Sequence, residues 1–257
     1  MDMMPILTAA KYHRWLPYYA VLKTDLRSTP RNWVWRTWVI ASLIATSLYL
    51  THKFAVYRET HIVQTVDKVV GNLLHWSALG TTTLVMAFAA GAIAAERGSL
   101  ADSVLCRGIS RYQFFLAKLH ARLISVLCTY LFFGGGILIL CGYLFPGLVT
   151  WTGCAAALGA LAAMLAAIVC CGLTVSALCN SQMLALSLLW IGLYTVGFLL
   201  TFLPSNYLTP DRLIEILPSL LRGEFDRFAL WNLTKYSLYV AMGAALVGMV
   251  GFSRKDV

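Results

Sequence analysis

The sequence predicts an all-α polytopic membrane protein with six transmembrane helices. Three observations carry this. Of 257 residues, 60% are hydrophobic and only 12% are charged, about half the charged share of an ordinary soluble domain. Mean hydropathy is +0.74. No charged residue occurs in the 88 positions between Arg122 and Asp211, which leaves room for several spans of roughly 20 apolar residues. Together they exclude a soluble globular domain. They also exclude a disordered chain, which needs low hydrophobicity and high charge. The apolar runs are continuous, unlike the ~10-residue alternating strands of a β-barrel.

The elements follow in chain order. Residues 1–33 form a polar, basic lead. Within it, Trp15 to Leu26 mixes aromatic and aliphatic residues with Lys and Arg, the composition of a helix lying in the cytoplasmic interface. The first span is expected at 34–54, with Arg36 and Lys53 snorkelling at its ends. The second is expected at 73–95 and the third at 119–145, stopped by Pro146-Gly147. The fourth, 151–178, is rich in Ala and Gly and ends at the polar break Asn180-Ser181-Gln182. The fifth covers 183–203 up to Pro204, and the sixth 235–252. Between the last two, the outer segment 204–234 contains Thr209-Pro210-Asp211, a good helix start. Leu213, Ile214, Leu217, Leu220 and Leu221 would give that helix an apolar face, so a small interfacial or re-entrant helix closing the outer side is expected. The whole chain is one transmembrane domain.

Charge orients the bundle. Segments 1–36, 96–122 and 253–257 hold 13 Lys+Arg and 5 acids. Segments 51–72 and 204–235 hold 7 Lys+Arg and 6 acids. An even number of spans puts both termini on one side, and the basic excess makes that side cytoplasmic. The net charge of +9 therefore reflects the positive-inside bias and does not indicate nucleic acid, for which no binding module is present. No cleavable signal peptide is expected.

The seven cysteines, Cys106, Cys128, Cys141, Cys154, Cys170, Cys171 and Cys179, read as small apolar packing residues. Cys170-Cys171 with Met164 invites a soft-metal reading, but adjacent helical residues point to different faces, and no metal site is expected. The histidines, His13, His52, His61, His75 and His120, are scattered. No G-x-x-x-x-G-K-[ST] occurs, so the chain does not itself bind ATP in a P-loop. Acids and bases are missing from the expected span interiors, which argues against an ion-coupled carrier and against a membrane enzyme. The third span contains Gly134-Gly135-Gly136, which marks either tight packing or a hinge.

The most informative stretch joins the second and third spans, at 96–118. Ser99 and Asp102 have capping-box spacing, and Ser110 and Gln113 repeat it. Gly108 is a natural terminator between them. A short capped helix over about residues 100–107 is expected, with Leu100, Val104 and Leu105 as its apolar edge and Asp102, Ser103 and Arg107 as polar groups. A helix this short is marginal alone, so it docks on something.

Here the chain resembles the ABC-2 type transporter permeases, including those serving peptide-antibiotic export and copper-enzyme maturation. Glu96, Gly98, Ser99, Leu100, Leu105, Ile109, Ser110, Arg111 and Lys118 match the family's segment after its second span. Phe252-Ser253-Arg254-Lys255-Asp256 resembles its C-terminal ending, and Leu22-Lys23-Thr24-Asp25-Leu26-Arg27 its pre-membrane helix. The chain departs from the pattern at Cys106-Arg107-Gly108, where Gly makes the turn in place of Pro.

The resemblance implies a dimeric exporter subunit in the cell (inner or plasma) membrane. It pairs with a second permease subunit and with cytoplasmic ABC ATPases, which hold the ATP and Mg. The ATPase-contacting residues would be Glu96, Arg97, Gly98, Ser99, Leu100, Asp102, Ser103, Leu105, Arg107, Ser110 and Arg111. A charge-free lining would suit lipidic, peptide or neutral cargo. A membrane scaffold or assembly factor without transport is the alternative.

Overall fold

The computed structural model describes residues 15–60, 66–94, 109–144, 150–202, 210–224 and 226–254. The described residues hold helices and no strand: α1 (Leu16–Ser28), a 3-10 turn (Thr29–Arg31), α2 (Trp33–Thr60), α3 (Val66–Ala94), α4 (Arg111–Leu144), α5 (Trp151–Leu178), α6 (Gln182–Thr201), α7 (Pro210–Glu215), α8 (Leu217–Arg222) and α9 (Arg227–Arg254). Six of them, α2 to α6 and α9, are long and apolar enough to cross a membrane. The chain is thus a multi-pass helical membrane protein. Helices suit that setting because each satisfies its own backbone hydrogen bonds where no water is available.

Local chemistry sets several boundaries. Thr150 caps α5 by accepting the Gly153 N–H at 3.2 Å, and Ser181 caps α6 by accepting the Leu184 N–H at 3.2 Å. Only Cys179, Asn180 and Ser181 separate these two helices. Pro210 is the first residue of α7, where a missing N–H costs nothing. Gly223 closes α8 with φ of 86°, a left-handed conformation that glycine adopts without a Cβ clash.

Some helices outrun the spans marked by hydropathy. The third span was expected from residue 119, yet α4 begins at Arg111. The sixth was expected from 235, yet α9 begins at Arg227 and takes the end of the outer segment 204–234 into the helix. At 1.5 Å per residue, the 34-residue α4 is about 51 Å long, against a hydrocarbon core of roughly 30 Å. Hydropathy marks the lipid-embedded part, and hydrogen bonding carries the helix beyond it.

The Ala- and Gly-rich α5 is the hub. It packs against α3, α4, α6, α8 and α9. Its small residues let neighbours come close. A Cβ on Gly172 would meet Ala89 Cβ of α3 at 2.7 Å, and one on Gly248 of α9 would meet Phe115 and Thr174 at 2.7 Å. Hydroxyls then bind across these approaches. Ser176 Oγ donates to the Ala90 carbonyl at 2.8 Å and accepts the Ile93 and Ala94 N–H groups at 3.1 Å. Thr174 Oγ1 donates to the Ala244 carbonyl of α9 at 2.7 Å.

The two largest apolar clusters lie along this hub. One gathers Phe114, Phe115, Leu119, Cys170, Leu173, Ala241 and Phe252 at the end of the bundle that also holds α1, here the near end. The other gathers Leu50, Leu73, Leu74, Tyr130, Leu161 and Leu165 with Leu213, Leu217, Leu220 and Leu221 of α7 and α8, at the far end. In contrast, α2 and α6 are mostly exposed, with Ile40, Leu43, Ile44 and Leu48 on one and Ile191, Tyr194, Phe198 and Leu199 on the other. Apolar faces this extensive belong in lipid or against another subunit.

Close approach at α5 predicts a contrast between two glycine substitutions. Gly172→Leu should destabilise the full chain in detergent by about 1–3 kcal/mol, the ordinary cost of overpacking. Gly192→Leu, where an added Cβ meets open space, should leave the thermal unfolding midpoint unchanged. Equal midpoints for the two variants would refute the packing account.

Candidate functional site

The near end concentrates the polar interactions between elements. It begins with α1, whose 13 residues carry Asp25 as the buried one. Ser28 and Thr29 hydroxyls both return to the Asp25 carbonyl at 2.9 Å, which also accepts the Thr29 backbone N–H. The same face packs on the first turns of α4, with Val21 against the near-end apolar cluster.

Three polar contacts fasten α1 and the 3-10 turn after it to α4. Lys118 Nζ lies 2.8 Å from Asp25 Oδ1, with side-chain exposures of 4% and 10%. Those low values decide its character: it is a buried pair, not a solvated surface one. Tyr18 Oη lies 2.8 Å from His120 Nδ1, a hydrogen bond whose donor follows the imidazole tautomer. Burial, and secondarily the neighbouring Tyr19, pushes the Tyr18 hydroxyl up from its ordinary value, so it stays protonated at physiological pH. Arg122 donates through Nη1 to Thr29 Oγ1 at 3.5 Å.

The cations are further held by rings. Lys118 sits 5.6 Å from the centre of the Phe114 ring and Arg122 5.7 Å from that of Phe88 on α3, both within cation–π range. Of the four buried side-chain atoms without a hydrogen-bond partner among the described residues, two lie at this junction, Asp25 Oδ2 and Arg122 Nε. One is an acceptor and the other a donor, so the junction holds complementary unused bonding capacity.

Next to this junction, α4 starts with a reciprocal capping box. The Gln113 N–H donates to Ser110 Oγ at 3.3 Å, and the Ser110 N–H donates to Gln113 Oε1 at 3.4 Å. Arg111 Nη1 donates to the Ser253 carbonyl at 3.4 Å, placing a cation at the C-terminus of α9, where the helix dipole is negative. Phe252 of α9 stacks on Phe114 with ring centres 6.1 Å apart. Thus α1, the start of α4 and the end of α9 form one junction.

Of the residues singled out in sequence, Ser110 and Arg111 belong to this junction. Glu96, Arg97, Gly98, Ser99, Leu100, Asp102, Ser103, Leu105 and Arg107 lie outside the described residues. The segment that carries them nevertheless joins the near-end termini of α3 and α4. Gly134, Gly135 and Gly136 sit within continuous helix in α4. Gly134 is a contact point, since a Cβ there would meet Leu158 of α5 at 2.6 Å, whereas Gly135 and Gly136 face open space.

The pairing of Asp25 with Lys118 was not legible in sequence, although both residues fell within the resemblance. A signal existed. Asp25 is the lone acid between residues 3 and 58, and Lys118 interrupts an otherwise apolar run.

At the far end, α7 and α8 seal the hub. The Thr150 N–H and Oγ1 both donate to the Leu221 carbonyl, at 2.9 and 3.1 Å. Leu213, Leu217, Leu220 and Leu221 are almost wholly buried. Among the described residues, no cluster of three or more His, Cys, Asp or Glu is placed to hold a metal ion.

No family model matches the chain, and no curated protein is significantly similar to it.

The junction makes an energetic prediction. Asp25→Asn and Lys118→Met each leave a buried group without its partner and should cost about 3–5 kcal/mol. Replacing both, as Asp25→Asn with Lys118→Met, should cost less than the sum. A thermal-unfolding double-mutant cycle measures this, and strict additivity would show that the pair is not coupled.

Proposed function

We propose that this chain is the permease subunit of an ABC-2 type exporter, paired with a second permease subunit and with separate cytoplasmic ATPases. The observation that carries the reading is the motif segment 96–111. It resembles the permeases' ATPase-facing turn, and it joins α3 to α4 at the end where α1, α4 and α9 meet.

In this reading both termini and segment 96–111 are cytoplasmic, in keeping with the charge partition, and the membrane is the cell membrane. α1 lies in the cytoplasmic interface. The short helix over about residues 100–107 seats in a groove of the ATPase, with Leu100 and Leu105 as its anchors. ATP and Mg belong to that partner, and this chain performs no chemistry of its own.

The mechanism is a two-state gating motion. Closure of the ATPases pushes on the 96–107 turn. The Ser110–Gln113 capping box makes the start of α4 a firm lever, and α4 runs unbroken to Leu144. Through Asp25 and Lys118, α1 follows α4. The little-buried α2 and α6 face lipid or the second subunit, and the substrate pathway runs between subunits. The lining there is free of formal charge, which suits lipidic, peptide or neutral cargo. The α7–α8 cap closes the outer end.

The test is reconstitution with the cognate ATPase in vesicles. Substituting Leu100→Asp together with Leu105→Asp should reduce substrate-stimulated ATP turnover and transport by roughly tenfold or more, as expected when buried anchors of an interface are lost. Turnover that survives both changes would defeat the coupling role. ATPase capture without ATP-dependent movement of any cargo would instead identify a scaffold.

A further inference from the structure

The exposed face of α1 carries a second feature, separate from ATPase coupling. At about 100° per residue, Leu16, Tyr19, Lys23 and Arg27 fall on one side of the helix. Asp25 lies about half a turn round from Lys23 and Arg27, on the side that packs against α4. The observed burial agrees: Asp25 is buried, whereas Leu16 is 67% and Tyr19 63% exposed. Lys23, Arg27 and Arg31 are exposed as well. Among the described residues, the only acid within salt-bridge distance of a base is Asp25, and it is taken by Lys118. The three cations therefore point outward at four-residue intervals, with no acid paired to them among the described residues.

Trp15, 55% exposed, extends the aromatic end of this face. It sits edge-on to Tyr18, ring centres 5.9 Å apart, and Tyr18 in turn is edge-on to Tyr19 at 5.3 Å. The face thus has an aromatic-aliphatic end and a cationic end. Its direction is set by the Asp25–Lys118 and Tyr18–His120 contacts on the opposite side.

We propose that this face is a docking surface for the anionic phospholipid headgroups of the leaflet on which α1 lies. Trp15, Leu16 and Tyr19 enter the region between headgroups and acyl chains, where aromatic rings with polar edges are most stable. Lys23, Arg27 and Arg31 meet the phosphates. A juxtamembrane row of cations on an amphipathic helix is attracted to anionic lipid, each charge adding to the binding. An acidic soluble partner would match the cations but would leave the large apolar residues beside them without a use. Lipid accounts for both halves. Because α1 is held on α4 through Lys118, the charge of the leaflet also acts on α4.

The test uses the full-length purified chain in nanodiscs of phosphatidylcholine alone or containing phosphatidylglycerol. In the wild-type protein, acylation of Lys23 by a water-soluble reagent, read by peptide mass spectrometry, should slow several-fold when phosphatidylglycerol is present. It should recover at high salt, because headgroup attraction is screened. Equal labelling in the two nanodiscs would overturn the proposal without any variant being needed.

In mixed micelles, native mass spectrometry should show wild-type protein retaining phosphatidylglycerol over phosphatidylcholine. Lys23→Gln, Arg27→Gln and Arg31→Gln combined should reduce that preference roughly tenfold. Lys68→Gln, Arg227→Gln and Lys235→Gln combined, at the far end, should not. An unchanged preference in the α1 variant, or an equal loss in the far-end variant, would overturn it. So would lipid retention that persists while capture of an acidic cytoplasmic protein is lost.

Discussion

The structure depends on how closely its helices approach α5. In lipid, apolar side chains gain nothing from leaving water, so helix association rests on van der Waals packing and interhelical hydrogen bonds. α5 supplies both. Gly172 admits the backbone of α3 at Ala89. One turn on, Ser176 places its hydroxyl against the last turn of α3 and bonds three backbone groups there. Thr174 does the same for α9 at Ala244, opposite Gly248. A bulkier α5 would push both neighbours out of hydrogen-bond range at once.

Further polar contacts fasten the two ends, and the ends differ. At the far end, neutral backbone bonds from Thr150 to Leu221 seat a leucine-rich cap over the hub. Such a closure is inexpensive, because no charge is buried. At the near end, a full ion pair is buried. Removing both charges from water costs several kcal/mol per ion, and the pair's attraction does little more than offset it. Its value therefore lies in geometry: only one placement of α1 on α4 satisfies Lys118 and Asp25. Asp25 Oδ2 and Arg122 Nε are unpartnered at this junction, as Tyr130 Oη is in the far-end cluster.

The helices are also unequally committed. α3 and α5 are the most buried of the long helices, whereas α2 is held mainly by Trp35 and Trp38 near its start and Leu50 further along. Trp35 meets Phe88 of α3 and Trp38 meets Phe133 of α4, both edge-on, so these indoles turn into the bundle instead of anchoring at its surface. The remainder of α2, like most of α6, is an apolar surface that only lipid or another chain can cover.

By itself the sequence determined the class and the number of long apolar helices. Those properties are local: a charge-free run of 88 residues has few stable arrangements in water, and caps such as Ser110–Gln113 act over three residues. The role of α5 as hub was foreshadowed by its Ala and Gly, since small residues matter wherever backbones must touch. The partners were not foreshadowed. Asp25 and Lys118 are 93 positions apart, and no spacing rule joins them, because their contact depends on how α1 is laid across α4. Likewise Ser176 and Thr174 are ordinary helix residues in the sequence, and only the packing of α3 and α9 made their hydroxyls interhelical. Pattern within one helix is written in the chain. Which faces meet is decided by the three-dimensional fit of all the helices together, and the near-end junction exists only in that fit.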